Sequence, residues 1–275
     1  TSDPEGVIAQ IAPLVEPHER LIILDIGGYF AKNQAILAEH FGARFLGVVE
    51  MTENGHQRYE QEVLAAPVIS VARSPLKQAE DIQIGLSVVY SAESLARTLR
   101  RTFNVCQAAL FGYGKVGRSI ARELRCRNLH LELVETDALR QVEALSHGFK
   151  LVNKAEALGR AELVICCTGN GSLDIADLQA LRPGAMLASV TSADDEFAFC
   201  LSQLPWPSEE VCPHVLALTR PDGSTIFLLN RGEAVNFVHG AVIGEYVYLV
   251  LAEIIEGVHQ LAGQAPAAGL LELPQ

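Results

Sequence analysis

No stretch of this 275-residue chain approaches the roughly 18 uninterrupted apolar residues that a membrane-spanning helix requires. Positive charge is also scarce. Twenty-one Lys and Arg against 33 Asp and Glu leave a formal net charge of −12, and the longest basic run is the pair Arg100-Arg101. Such a chain repels phosphate backbones and anionic lipid surfaces, so nucleic acid and membrane are excluded as expected partners and a small-molecule substrate is the default. Six cysteines (Cys106, Cys126, Cys166, Cys167, Cys200 and Cys212) show no CxxC spacing. Neither a metal site nor a disulfide framework is expected, and the thiols point to a reducing, cytoplasmic setting. The opening "TSDPEGVIAQ" has no basic stretch followed by an apolar core, which a secretory leader would need. It also lacks Met, so a natural N-terminal segment is expected to precede it. Internal repeats, low-complexity tracts and flexible linkers are absent from the sequence.

What the chain does have is a 49% hydrophobic content, enough to fill a substantial core. Short apolar runs alternate with helical patterns, the mark of parallel βαβ units. In a first block, residues 21–26, 44–50 and 67–72 read as strands, with helices near 30–41 and 55–64. A second block has strands at 107–112, 129–135, 149–152, 161–167 and 185–190, then a hairpin over 214–230 with Pro-Asp-Gly at its turn. Residues 91–103 are expected to form a connecting helix, with Arg100 and Arg101 on its polar face. A second long helix is expected over 241–262 with no strand after it, its tail packing back on the first block and its apolar side favouring a homodimer. The expected domains are 1–92 plus 240–275, a substrate-type lobe, and 93–239, a cofactor lobe.

The most informative stretch is "ALFGYGKVGRSIARELR" at 109–125. Gly112, Gly114 and Gly117 form G-x-G-x-x-G between a buried strand and an amphipathic helix. The first glycine permits the tight turn, the second lets backbone approach a pyrophosphate, and the third lets the helix pack on the sheet. Glu135 stands 23 residues beyond Gly112, at the end of the next strand, where an acid accepts hydrogen bonds from ribose hydroxyls and repels a 2′-phosphate. NAD is therefore the expected cofactor.

"GYGKVGRSIA", "VETDALRQVEA", "CCTGN", "SVTSADDEF" and "LLNRGEAVNF" occur in an order and spacing that resemble the cofactor domain of the S-adenosylhomocysteine hydrolase family. The resemblance is clear over 92–238 and extends more weakly through "ILDIGGYFA", "GVVEMTENG" and "PVISVARSPLKQAED". It implies two Rossmann-like lobes with parallel sheets, tightly held NAD, and oxidation of a ribose 3′-hydroxyl followed by elimination or addition at C5′ and re-reduction. Residue by residue, Gly112, Gly114, Lys115, Val116 and Gly117 match the pyrophosphate turn and Glu135 the ribose acid. Asn170 and Asn236 match amides that reach the cofactor, the latter at its nicotinamide end. Thr52, Glu53 and Asn54 stand where the family has three threonines touching NAD. Lys77 and Asp81, four apart and so on one helical face, match the lysine and aspartate beside the hydroxyl being oxidised; spacing alone equally allows an ordinary surface pair.

The departures matter as much. These 275 residues hold no counterpart of the family's segment with the C5′ acid-base histidine, and the aspartate and glutamate that face its substrate fall at Ile26 and Met51. Its His-Phe gate is Ser192-Ala193 here, and "GLLELPQ" replaces the Lys and Tyr tail that reaches a neighbouring subunit. His56 and His239 are candidate substitute proton carriers. Asp194, Asp195 and Glu196 read as a solvated acidic loop, and Tyr246 and Tyr248 as packing residues. Three readings remain: an NAD-dependent oxidoreductase acting on a secondary alcohol or ketone of a nucleoside-like or other small polar metabolite, a catalytically silent NAD-binding regulator, and authentic adenosylhomocysteine hydrolysis. A 2-hydroxyacid dehydrogenase fits the fold, yet its Arg, Glu and His set is not found in order.

Overall fold

The computed structural model describes residues 4–191, 196–197, 204–241 and 244–273. Ser192-Ala193, Asp194-Asp195, Cys200 and the last two residues therefore lie outside the described residues. Packing divides the chain into two units, residues 1–80 with 244–275, and residues 81–243.

In the first unit, β1 (Leu21–Asp25), β2 (Phe45–Glu50), β3 (Pro67–Ser70) and β12 (Gly269–Glu272) form a parallel sheet in the order β1-β2-β3-β12. Side chains alternate across it as the pleat requires. Val48 and Val68 face a cluster with Leu37, Phe41 and Tyr59 from α2 (Gln34–Phe41) and α3 (Glu53–Glu60), with Val7 of α1 (Pro4–Ile11). Val49 and Ile69 face the other way, onto Val250, Ile254 and Leu261 of α9 (Glu245–Gln264). Both faces are covered, as parallel sheets need. The expected absence of a strand after the long C-terminal helix is corrected by β12, which pairs with β3 from Gly269↔Pro67 to Glu272↔Ser70. Tyr246 and Tyr248, expected to be packed, are exposed on α9.

The connecting helix is also longer than its periodicity predicts: α4 runs Pro75–Thr98 rather than 91–103. Ser74 Oγ accepts from Lys77 N at 3.0 Å, with proline at the first helical position, where its missing N–H costs nothing. Arg100 and Arg101 lie beyond its end; Arg100 has φ +56° and Arg101 sits 5.0 Å over the Phe227 ring.

The second unit carries an eight-stranded sheet in the order β6-β5-β4-β7-β8-β11-β10-β9, from β4 (Gln107–Phe111), β5 (His130–Val134), β6 (Lys150–Leu151), β7 (Leu163–Cys166), β8 (Met186–Ser189), β9 (Ser208–Cys212), β10 (Val215–Thr219) and β11 (Thr225–Leu229). All pairings are parallel except β11-β10 and β10-β9. Leu110 of β4 points to a cluster holding Val88, Val89 and Ala92 of α4 with Ile120 and Leu124 of α5 (Lys115–Cys126). Phe111 points to the opposite cluster, with Leu158 of α7 (Lys154–Arg160) and Leu178 of α8 (Ile175–Ala180). Strand order reverses between β4 and β7, and the crevice at the carboxyl ends of two such strands is where doubly wound sheets take ligands. α6 (Ala138–Ser146) joins β5 to β6. Among the described residues no helix is long and apolar enough to cross a membrane.

Candidate functional site

The turn from β4 into α5 lies at that crevice, and its glycines have distinct tasks. Gly112 has φ +97°, and a Cβ there would lie 3.1 Å from the Cys167 carbonyl oxygen. A Cβ on Gly117 would lie 2.3 Å from the Gly112 oxygen, an approach that only glycine permits. Gly114 opens α5, and among the described residues beyond its own neighbours in the chain only Arg140 Nη1, at 3.8 Å, comes within 4 Å of its would-be Cβ, so the space above it is open. Lys115 and Val116 follow as the first residues of α5, both half-buried. Glu135, just past β5, binds the turn: its Oε2 accepts from Tyr113 N at 2.6 Å, while Oε1 accepts from Thr136 N at 2.7 Å and Asp137 N at 2.9 Å. A carboxylate has about four acceptor positions, so one remains for a ribose hydroxyl.

Across the crevice, the segment after β7 is held by a buried acid. Glu196, 0% exposed, accepts from Thr168 Oγ1 at 2.9 Å, Gly169 N at 2.7 Å and Ser172 Oγ at 2.7 Å. Burial pushes its carboxyl above the usual carboxylate range. The expected solvated acidic loop is therefore corrected at Glu196, which is buried with three donors that offset part of its desolvation. Asn170 sits on the tethered segment, exposed, its Nδ2 donating to Thr168 O at 3.2 Å. Cys166 and Cys167 line the same strand end, and burial raises both thiols well above their ordinary value, which leaves them poor nucleophiles.

Asn236, on the segment after β11, is 5% exposed, and its Oδ1 is buried with no hydrogen-bond partner among the described residues. An orphaned buried acceptor is costly unless a ligand supplies the donor. Together with the glycine cradle and the remaining acceptor on Glu135, it fits NAD.

In the first unit, Asp25 and Glu50 stand side by side at the ends of β1 and β2. Glu50 accepts from Gly28 N at 2.9 Å, Gly27 N at 3.2 Å, Thr52 N at 2.6 Å and Thr52 Oγ1 at 2.7 Å, and burial pushes its carboxyl upward. Asp25 accepts from Tyr59 OH at 2.7 Å. Thr52 caps α3 by accepting from Gly55 N at 3.0 Å, Glu53 pairs with Arg73 at 2.7 Å, and Asn54 is half-buried beside them. Ile26, 59% exposed, and half-buried Met51 lie at the same strand ends. His56 is buried between Ser70 Oγ at 2.8 Å and Glu60 Oε1 at 3.0 Å. In the second unit His239 meets Ser91 Oγ at 3.0 Å and Ser94 Oγ at 3.3 Å. Each candidate proton carrier is thus held by side chains of its own unit.

Lys77 and Asp81 share a face of α4, and both are buried, each 7% exposed. An ordinary solvated surface pair is thereby excluded. Lys77 Nζ also forms an ion pair with Glu80, a partner that spacing did not bring forward.

Residues 88–242 match the family described as S-adenosyl-L-homocysteine hydrolase, NAD binding domain. The chain belongs to this family. It is 30% identical over 228 residues to an adenosylhomocysteinase from Thermotoga maritima, covering 79% of this chain and 55% of that protein. It thus spans about half the length of that relative. A protein described as a D-isomer specific 2-hydroxyacid dehydrogenase, NAD-binding, from Polaromonas sp. JS6 66 shares the fold, with a TM-score of 0.53 at 14% identity over 95% of this chain and 86% of that one. A dipicolinate synthase chain from Bacillus subtilis aligns with a TM-score of 0.46 at 11% identity, over 89% of this chain and 97% of that one. The cofactor of the matched domain is NAD.

Sequence reasoning missed two residues at this family's cofactor turn. Arg140, on the first turn of α6, reaches the open space over Gly114, and Glu196 tethers the segment that carries Asn170. Neither has a motif of its own: Arg140 looks like a helix surface residue, and Glu196 is the last acid of a polar run.

Proposed function

We propose that the protein is an NAD-dependent oxidoreductase of the S-adenosylhomocysteine hydrolase family that interconverts a secondary alcohol and a ketone on a nucleoside-like or other small polar metabolite. The observation that carries this reading is the burial of Lys77 and Asp81 on one face of α4. Keeping a lysine and a carboxylate out of water is expensive, and the Glu80 ion pair offsets that cost for Lys77 only. NAD, when bound, supplies the hydride acceptor. Lys77 would enter the oxidation as the neutral amine, take up the hydroxyl proton to become the ammonium that pairs with Glu80, and return that proton on reduction, with Asp81 on the same helical face. Glu135 accepts from the adenosine ribose, the glycine turn and Lys115 hold the pyrophosphate, Asn170 and Asn236 border the cofactor, and Thr52, Glu53 and Asn54 take the place of the relatives' threonine run. The acidic balance and the family favour a cytoplasmic protein, with a homodimer through the exposed side of α9.

A second reading, a silent NAD-binding regulator, draws on exposed Ile26 and on Met51, which put apolar surface where the relatives read substrate. Mass and absorbance analysis of nucleotide released from the denatured protein, followed by a screen of nucleosides for reduction of the bound cofactor, separates the two. The enzyme reading expects bound NAD that at least one secondary alcohol reduces in the parent and none reduces in Lys77→Ala. Bound NAD that no alcohol reduces supports the regulator.

A further inference from the structure

The first two turns of α4 are inside out. Leu76 and Ile82 are 41% and 40% exposed and Gln78 is exposed, whereas Lys77 and Asp81 are buried and the Glu80 side chain is only 12% exposed. The stripe that begins with Lys77 and Asp81 continues, at helical spacing, through Val88, Ala92 and Leu95 of the core. α4 thus has a solvent side with room for charge and keeps its charges on the packed side. Lys77 forms an ion pair with Glu80, one turn further along. Two features oppose a charge on Lys77: its burial, and its place in the first turn of a 24-residue helix, the positive end of the helix dipole. The Glu80 carboxylate acts the other way. From α9, Glu253 reaches the same turn, where its Oε2 accepts from Ser74 Oγ at 2.6 Å while Ser74 caps Lys77 N. Glu80 meets the Lys77 amine directly.

From this inverted start we propose that Glu80 is a positioning residue that holds Lys77 as the ammonium, so that near neutral pH the protein works chiefly in the direction of ketone reduction. This rests on the oxidoreductase reading above. In reduction the carbonyl carbon accepts a hydride from the reduced nicotinamide and the carbonyl electron pair moves onto oxygen. That oxygen takes its proton from Lys77 Nζ, which is left as the neutral amine beside Glu80. Oxidation is the reverse and needs the neutral amine at the outset. An acid that stabilises the ammonium keeps the proton donor abundant and the proton acceptor scarce, so oxidation waits for higher pH.

The test follows Lys77 itself as well as turnover. The Cε signal of Lys77, assigned by its loss in Lys77→Arg, is titrated by carbon NMR in the purified parent and in Glu80→Gln. Rates of oxidation and reduction are measured against pH with the nucleoside that the screen above finds to reduce the bound cofactor, and with its ketone. The parent should hold the ammonium at pH 7. Glu80→Gln should lose it at a pH lower by about one to two units, with the rise in oxidation and the fall in reduction moving down by the same interval. A parent whose Lys77 is already neutral at pH 7 overturns the proposal, whether or not the variant folds. So does a Glu80→Gln midpoint, or a pair of rate profiles, that does not move. A midpoint that moves in a protein for which the screen finds no alcohol leaves Glu80 as the residue that holds Lys77 and overturns the oxidoreductase reading.

Discussion

Two residues of opposite charge flank the glycine turn, and their substitution should separate recognition of ribose from recognition of phosphate. Glu135 holds Tyr113 N and keeps one acceptor position for a hydroxyl, whereas Arg140 places Nη1 over Gly114. Glu135→Ala is expected to weaken NAD by about 1–3 kcal/mol and to relax discrimination against NADP, since both a charge-assisted bond and a repulsive charge are lost. Arg140→Ala is expected to weaken NAD by about 1–2 kcal/mol and to flatten the dependence of affinity on salt. Calorimetric titration of both cofactors at two ionic strengths checks the pair; unchanged NADP discrimination in Glu135→Ala would misplace the ribose. The place of Glu135 beside the turn was legible because strand, turn and acid occur in register. Arg140 was not, because its meaning comes from a through-space approach to Gly114 that no spacing rule encodes.

At the scale of elements, Glu50 ties together the ends of β1 and β2 and the start of α3. Its carboxyl is raised chiefly by burial, so the folded first unit holds its proton to higher pH than the unfolded chain does. Stability from this group is full below the unfolded pKa and declines as pH rises through the folded one. The unfolding midpoint of the parent relative to Glu50→Gln should therefore fall as pH rises above the ordinary carboxylate range, beginning near about pH 4. A difference that does not vary with pH, followed by thermal denaturation, would show that Glu50 ionises as freely folded as unfolded. Most strands at these ends were legible from apolar runs bounded by turns, and the hairpin from Pro-Asp-Gly, where Gly223 has φ +80°. The start of α4 was hidden in a polar stretch, although Ser74 and Pro75 form a start signal. β9 and β12 escaped notice for another reason: both are short edge strands, β9 almost wholly exposed, so pairing rather than pattern makes them strands.

At the scale of the whole molecule, the second unit is one continuous segment, 81–243, whereas the first is assembled from both ends of the chain. Residues 81–98 of α4 supply Val88, Val89, Ala92, Leu95 and Ala96 to the core beneath the glycine turn. A fragment spanning 81–243 should fold and bind NAD, more weakly than the parent because Thr52, Glu53 and Asn54 are missing, while one beginning at residue 99 loses several large buried contacts, each worth roughly 1.5–3 kcal/mol, and should not fold. Circular dichroism and calorimetry of the two fragments decide it. The two-part construction of the first unit also sets a schedule. Val49 and Ile69 have no cover on one face of their sheet until Val250, Ile254 and Leu261 have been made, and β3 gains its outer neighbour only with Gly269–Glu272. On the ribosome residues 81–243 are made before 250–272 and can close first, while β1, β2 and β3 wait, with an apolar face unsealed, for that later segment.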